Sequence, residues 1–255
     1  MSGSLAIIAL LTDFGRADPY VAAMKGVLAS RCDARIEDLS HEVAPFDVWG
    51  GAFFLRAVVP YWPAGTIFVV VIDPGVGTSR RILAIERDGR TFLAPDNGVL
   101  SLVAAPPAVS VENDAFFLPG GSTTFHGRDR FAPVAAAIAC GTPLHELGPR
   151  VDTIVTLDYA PPSYDCARAE GSIIHVDRFG NLVTDVEAAR LPFARFTARV
   201  GAHTIARVAR AYGEAGDGAF LIVGSTGCIE ISVANASAAA LLQLQRGDGV
   251  TIVPA

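Results

Sequence analysis

Apolar residues run along this chain in two rhythms. Residues 5–11 (LAIIALL) form an unbroken apolar run that stops at Thr12-Asp13-Phe14-Gly15. Residues 66–72 (TIFVVVI) form a second run, β-branched and uncharged, that stops at Asp73-Pro74-Gly75. Short runs closed by turn residues predict strands buried on both faces, as in a parallel sheet. Residues 34–39 predict another strand. Between these, apolar positions spread over helical surfaces at 20–30, opened by Asp18 as N-cap and Pro19 at the first helical position, and at 48–59. Residues 82–87 and 91–94 flank Asp88-Gly89, a hairpin signal. Residues 98–104 predict a short helix and 131–140 an alanine-rich one.

The rhythm changes near residue 160. Ala160-Pro161-Pro162-Ser163 reads as a linker, because consecutive prolines resist both helix and central strand. Short strand candidates follow at 170–176, 195–200, 204–208, 219–223, 229–233 and 249–253, several separated by glycine turns. The expected organisation is an α/β domain with a mostly parallel sheet over residues 1–160. A smaller all-β, barrel-like domain is expected over 161–255.

Composition narrows the function classes. At 51% apolar and 18% charged, 255 residues are enough to bury real cores. The formal charge of −6, with no basic cluster beyond pairs such as Arg80-Arg81, disfavours a nucleic-acid partner. The four cysteines, Cys32, Cys140, Cys166 and Cys228, lack paired spacing and read as small buried hydrophobes in a reducing compartment. No apolar run reaches bilayer-spanning length and no basic leader precedes the first, so a cytoplasmic protein without a membrane partner is expected.

Polar groups gather where the apolar runs end. Asp13 and Asp73 sit in loops that line one crevice if both strands lie in an open α/β sheet; either loop alone also reads as an ordinary turn. His126-Gly127-Arg128-Asp129-Arg130-Phe131 reads equally as an acid/base cluster at a helix start or as a surface ion-pair group. Asp177-Arg178-Phe179-Gly180-Asn181 offers a carboxylate, an aromatic and an amide suited to a nucleoside, or simply a hairpin turn. Gly224-Ser225-Thr226-Gly227 has the look of a phosphate loop without its lysine. His41, His145, His175 and His203 show no metal spacing and read as structural or surface groups. Serine-hydrolase, zincin and dinucleotide signatures are missing from the sequence.

Together these segments resemble the S-adenosylmethionine hydroxide adenosyltransferases, relatives of the fluorinase and chlorinase. The carrying motifs are LLTDFGRADPYVAAMKGVL (10–28), DLSHEVAPFDV (38–48), VVVIDPGVGTSRR (69–81), APDNGVLS (94–101), FHGRDRFAP (125–133), HVDRFGNLVTD (175–185) and GSTGCIEISVANASAA (224–239). The resemblance implies hydrolysis of S-adenosyl-L-methionine to adenosine and L-methionine by water or hydroxide attack at ribose C5′. No metal and no cofactor are implied. It also implies a homotrimer, with active sites at subunit interfaces.

The family's catalytic Asp, Arg and His fall on Asp73, Arg80 and His126. Asp13 resembles the carboxylate that accepts both ribose hydroxyls, and Phe179 and Asn181 resemble adenine contacts. Asp177, Ser225 and Glu230 are candidates for the methionine end. The halogenating relatives carry a Tyr where this chain has Asp73, so the intact triad argues against the rival reading of a chlorinase-like halogenase. Two further rivals are a metal-dependent phosphoesterase using Asp13, Asp73, Asp129 and His126, and a non-catalytic adenosyl-ligand binding module.

Overall fold

A computed structural model describes residues 5–255, which divide between Asp158 and Tyr159 into two compact units. The first is built on β1 (Ile7–Thr12), β2 (Arg35–Ser40), β3 (Thr66–Val71), β4 (Ile82–Arg87), β5 (Arg90–Pro95), β6 (Ala108–Ser110) and β7 (Arg150–Val151), with helices α1 (Tyr20–Ala29), α2 (Val48–Val58) and α3 (Ala132–Ala139). Its seven strands lie in the order β2-β1-β3-β5-β4-β6-β7.

The two apolar runs are central strands. All six residues of β3 are buried, and so are five of the six in β1. Alternate residues feed different cores: Ile8 and Leu10 pack with Met24, Leu28 and the α3 face, whereas Ala9 and Leu11 pack with Leu55 of α2. A strand with an apolar layer on each face has no position for a polar residue, hence the unbroken runs. Each fully buried Leu or Ile contributes roughly 1.5–3 kcal/mol.

The expected mostly parallel sheet needs correction. β1 runs parallel to β2 and β3, and β3 to β5, but the β4–β5, β4–β6 and β6–β7 pairings are antiparallel. The cause is the hairpin at Asp88-Gly89, whose residues both have positive φ (49° and 69°), the conformation a two-residue hairpin turn needs. It returns the chain antiparallel, and the short β6 and β7 extend that mixed half.

Residues 98–104 are turns, not a helix: Ser101 N donates to Gly98 O, and Val103 N to Leu100 O. Gly98 takes φ +97°, which starts no α-helix, and Pro106-Pro107 blocks extension beyond. Helix α1 begins at Tyr20 with Pro19, rather than Asp18, at its cap. A π-helical turn, Gly127–Phe131, leads into α3, so the helix expected at 131–140 starts earlier and in a wider winding.

The second unit is antiparallel throughout its strand pairings. It contains β8 (Ser163–Tyr164), β9 (Ala169–Val176), β10 (Leu182–Glu187), β11 (Phe196–Val200), β12 (His203–Ile205), β13 (Ala219–Val223), β14 (Cys228–Val233) and β15 (Gly249–Pro254), with one short helix, α4 (Ala238–Leu242). The path β12-β11-β15-β9-β10-β14-β13 nearly closes on itself, because the segment after β12 bonds to β13 through Ala209 N to Leu221 O and Leu221 N to Arg207 O.

Strand β10 escapes sequence reading because Thr184 and Asp185 interrupt its apolar pattern, although both are buried. The structure satisfies them internally. Thr184 Oγ1 donates to Ile229 O at 2.7 Å, and Asp185 accepts from Ser172 N at 2.8 Å and Tyr159 Oη at 3.1 Å. Buried polar groups with partners are tolerated where unpaired ones are not.

Candidate active site

Asp13 and Asp73 leave neighbouring parallel strands. Thr12 pairs in register with Val71, so the loops that follow β1 and β3 emerge side by side at the carboxyl ends of the sheet. The second loop then doubles back. Gly77, at φ +79°, lies so close to Thr123 that a Cβ there would meet its carbonyl oxygen at 2.7 Å. A glycine at this position lets the Asp73–Arg80 loop press against the segment that carries His126.

That approach assembles three of the sequence-predicted residues. Arg80 Nε donates to Asp73 Oδ1 and Oδ2 at 3.0 and 2.9 Å, and its Nη2 also binds Oδ2. The same Nη2 lies 2.7 Å from His126 Nδ1. The Arg80 and Asp73 side chains are only 9% and 4% exposed, and His126 is 2% exposed. The ring of Phe131 lies 5.8 Å from Arg80 Cζ.

A guanidinium only donates, so His126 Nδ1 accepts and the neutral ring carries its proton on Nε2. Burial pushes the His126 pKa down to about 4, with Arg130 and Arg80 adding to the shift and Asp73 and Asp129 opposing it. His126 is therefore neutral at ordinary pH. Its Nε2–H is buried and has no partner among the described protein atoms.

Asp13 stands beside this cluster. Its Oδ2 accepts from Phe46 N at 2.8 Å. Burial raises its pKa and the nearby Asp73 charge adds to the rise, against the backbone N–H groups. Phe46 itself is 70% exposed with φ 67°, and nothing in the residue pattern singled it out.

The phosphoesterase grouping is not assembled. Asp73 is bound to Arg80, while Asp129 binds Arg128 and accepts from Ser122 N at 2.6 Å. Among the described residues no three His, Cys, Asp or Glu side chains are placed to hold a metal ion.

The second unit gathers its own five predicted residues around one cavity of about 880 Å³: Asp177, Phe179, Asn181, Ser225 and Glu230 all line it. The hairpin reading of 177–181 also holds, because the turn joins β9 to β10. Asp177 Oδ1 accepts from Phe179 N and Asn181 N at 2.9 Å each, and Oδ2 accepts from Asn181 Nδ2 at 2.9 Å. Gly180 has φ +84°, and a Cβ there would meet Ser237 Oγ at 2.1 Å. Gly224–Gly227 is likewise a turn, closed by Gly227 N on Gly224 O.

Burial and the Asp177 charge raise the Glu230 pKa, against a hydrogen bond with Tyr212. Tyr212, which also accepts from Asn181 Nδ2 at 3.2 Å, was not legible in the sequence. Two carboxylates in a half-buried cavity, with Phe179 left 77% exposed, suit a cationic ligand with an aromatic part.

Fold and site together define a two-unit enzyme of small-molecule chemistry. The particular kind follows from comparison: the chain belongs to the SAM hydroxide adenosyltransferase family, whose N-terminal domain matches residues 8–148 and whose C-terminal domain matches residues 171–251. It is 40% identical to an (R)-S-adenosyl-L-methionine hydrolase of Salinispora arenicola, over 96% of this chain and 97% of that one. A protein of the same name from Thermus thermophilus is 39% identical, over 95% and 98%. A fluorinase of an Actinoplanes species is more distant, at 28% over 71% of each chain. The crystal structure of a conserved Thermotoga maritima protein superposes with a TM-score of 0.89 at 34% identity, covering 96% of this chain and 99% of that one.

Proposed function

We propose that this protein hydrolyses S-adenosyl-L-methionine to adenosine and L-methionine. The observation that carries the reading is the Asp73–Arg80–His126 cluster, in which one buried guanidinium is forked onto a carboxylate and bonded to a neutral imidazole. Water oxygen forms a bond to ribose C5′ as the C5′–S bond breaks. The bonding pair leaves with sulfur, turning the sulfonium into a neutral thioether, and one water proton is released.

In this reading Arg80, held by Asp73, stabilises the oxygen as it gains hydroxide character. His126 donates Nε2–H to that oxygen and orients it. It does not act as the base, because its Nδ1 is taken by Arg80 and its Nε2 already carries a proton. Asp13 accepts the ribose hydroxyls, Phe179 and Asn181 take the adenine, and Asp177, Ser225 and Glu230 take the methionine end. No metal or other cofactor is required.

The names of the hydrolase relatives specify the R configuration at sulfur. We take the R sulfonium as the preferred substrate here. Exposed Phe179 and Val223 beside the cavity support the expected homotrimer, in which neighbouring subunits complete each site; light scattering gives its mass. The exposed thiols of Cys140 and Cys166 support a reducing, cytoplasmic setting, and no described helix is long and apolar enough to cross a membrane.

The test is incubation of purified protein with each sulfonium diastereomer in ¹⁸O-water, with and without chloride. Adenosine labelled at the 5′ oxygen in both salts, formed faster from the R form, is the expected result. A 5′-chlorinated nucleoside, or no turnover of either diastereomer, overturns the reading.

A further inference from the structure

His41 gives no sign of function in the sequence, yet it is 1% exposed and packs against the loop that carries Asp13. Its Nδ1 lies 2.8 Å from Thr12 Oγ1, and its Nε2 lies obliquely 3.1 Å from Asp38 Oδ1. Asp38 also pairs with Lys25 at 2.8 Å, and Lys25 is the only lysine in the chain.

The donor pattern of this relay is self-consistent. A carboxylate only accepts, so the Nε2 proton lies on the side of Asp38, while Nδ1 shares a hydrogen bond with the Thr12 hydroxyl. The Thr12 oxygen in turn accepts from Phe14 N at 3.3 Å. The main chain of His41 repeats the attachment, since its carbonyl accepts from Gly15 N at 2.7 Å. Asp13 therefore lies between Thr12 and Gly15, both fastened to one histidine. Thr12 is 0% exposed, so its hydroxyl serves the loop and attacks nothing.

A carboxylate so held faces two unfavourable neighbours, buried surroundings and the Asp73 charge. Without anchors the loop relieves both by turning outward. With them, Asp13 keeps one oxygen on Phe46 N and presents the other.

We propose that Thr12 and His41 are positioning residues that hold Asp13 against the ribose hydroxyls, so that discrimination between ribose and 2′-deoxyribose substrates depends on them. The proposal rests on the role given to Asp13 above. A fixed carboxylate loses a partner when the 2′ hydroxyl is missing and cannot move to compensate. A released one re-aims, and the missing hydroxyl then matters less.

The experiment compares kcat/KM for S-adenosylmethionine and its 2′-deoxy analogue in the wild type, Thr12→Val, Thr12→Ser and His41→Asn. Thr12→Val is isosteric and removes only the hydroxyl. We expect it to lower kcat/KM on the ribose substrate about 10- to 100-fold, the scale of a misplaced reacting group. The 2′-deoxy substrate loses far less, so the ratio between the two narrows. Thr12→Ser restores the ratio. If Thr12→Val does not fold, judged by circular dichroism, the contrast between Thr12→Ser and His41→Asn carries the test. A folded variant that slows both substrates equally overturns the proposal and leaves Thr12 a purely structural residue. A wild type that turns over S-adenosylmethionine but does not distinguish its 2′-deoxy analogue also overturns it. A wild type active on neither overturns the hydrolase reading as well.

Discussion

Replacing Arg80 by lysine separates charge from geometry. Arg80 reaches both oxygens of Asp73 through Nε, and reaches Asp73 and His126 together through Nη2. A lysine keeps the positive charge beside Asp73 but has one nitrogen on a flexible stem, so it cannot hold the fork and the imidazole at once. His126 Nδ1 then loses the donor that fixes its tautomer. Losing one preorganised donor at a developing oxyanion costs about 10²–10³ in kcat. Binding is expected to be unchanged, because the Asp177–Glu230 cavity is untouched.

The stability cost is smaller than for an uncharged replacement. Removing one partner of a buried ion pair costs about 3–5 kcal/mol. Arg80→Lys instead loses roughly one charge-assisted hydrogen bond, about 1.5–3 kcal/mol, or roughly 3–12 °C in Tm. Single-turnover chromatography reads the chemistry, isothermal titration reads binding, and a thermal melt reads the fold. Turnover within tenfold of wild type would refute the argument that the forked geometry, and not the charge alone, drives catalysis. Binding without turnover would also dispose of the non-catalytic binding-module reading, since the wild type would then owe its activity to this cluster.

Two further outcomes follow from the titrating groups. The His126 pKa lies at about 4, below its ordinary value, so the unfolded chain binds a proton there first as pH falls. Folding stability is therefore expected to decline between about pH 6.5 and 4, and His126→Asn to flatten that part of the slope in urea unfolding; an unchanged slope argues against a neutral buried ring. The same shift predicts no inflection near pH 6.5 in kcat/KM. Glu230, raised by burial and by Asp177, ionises more readily once a cation enters the cavity. Affinity for S-adenosylmethionine measured by titration is expected to rise with pH through that raised pKa, and Glu230→Gln to weaken binding about 10-fold or more while removing the pH dependence. A pH-independent wild type would contradict this.

Much of this protein was legible before folding. Strands buried on both faces must be apolar at every position, so β1 and β3 announced themselves, and the turn residues that close them marked where polar side chains gather. The five residues around the second-unit cavity were readable because they lie within two short motifs, 175–185 and 224–239. What escaped has a common cause. Strand β10 hides behind Thr184 and Asp185, whose partners, Ile229, Ser172 and Tyr159, are remote in sequence. The mixed character of the first sheet depends on where β4 and β6 pair, which alternation along one strand does not encode.

The site follows the same division. Residue types limited the chemistry to a carboxylate, a guanidinium and an imidazole. Only the tertiary structure decided that Arg80 and His126, 46 positions apart, touch through Nδ1, which makes the histidine a donor. Tyr212, Phe46 and His41 likewise acquire their places from sheet register and loop closure. Burial and hydrogen-bond direction are properties of the packed chain, and they fix protonation states that a list of residues leaves open.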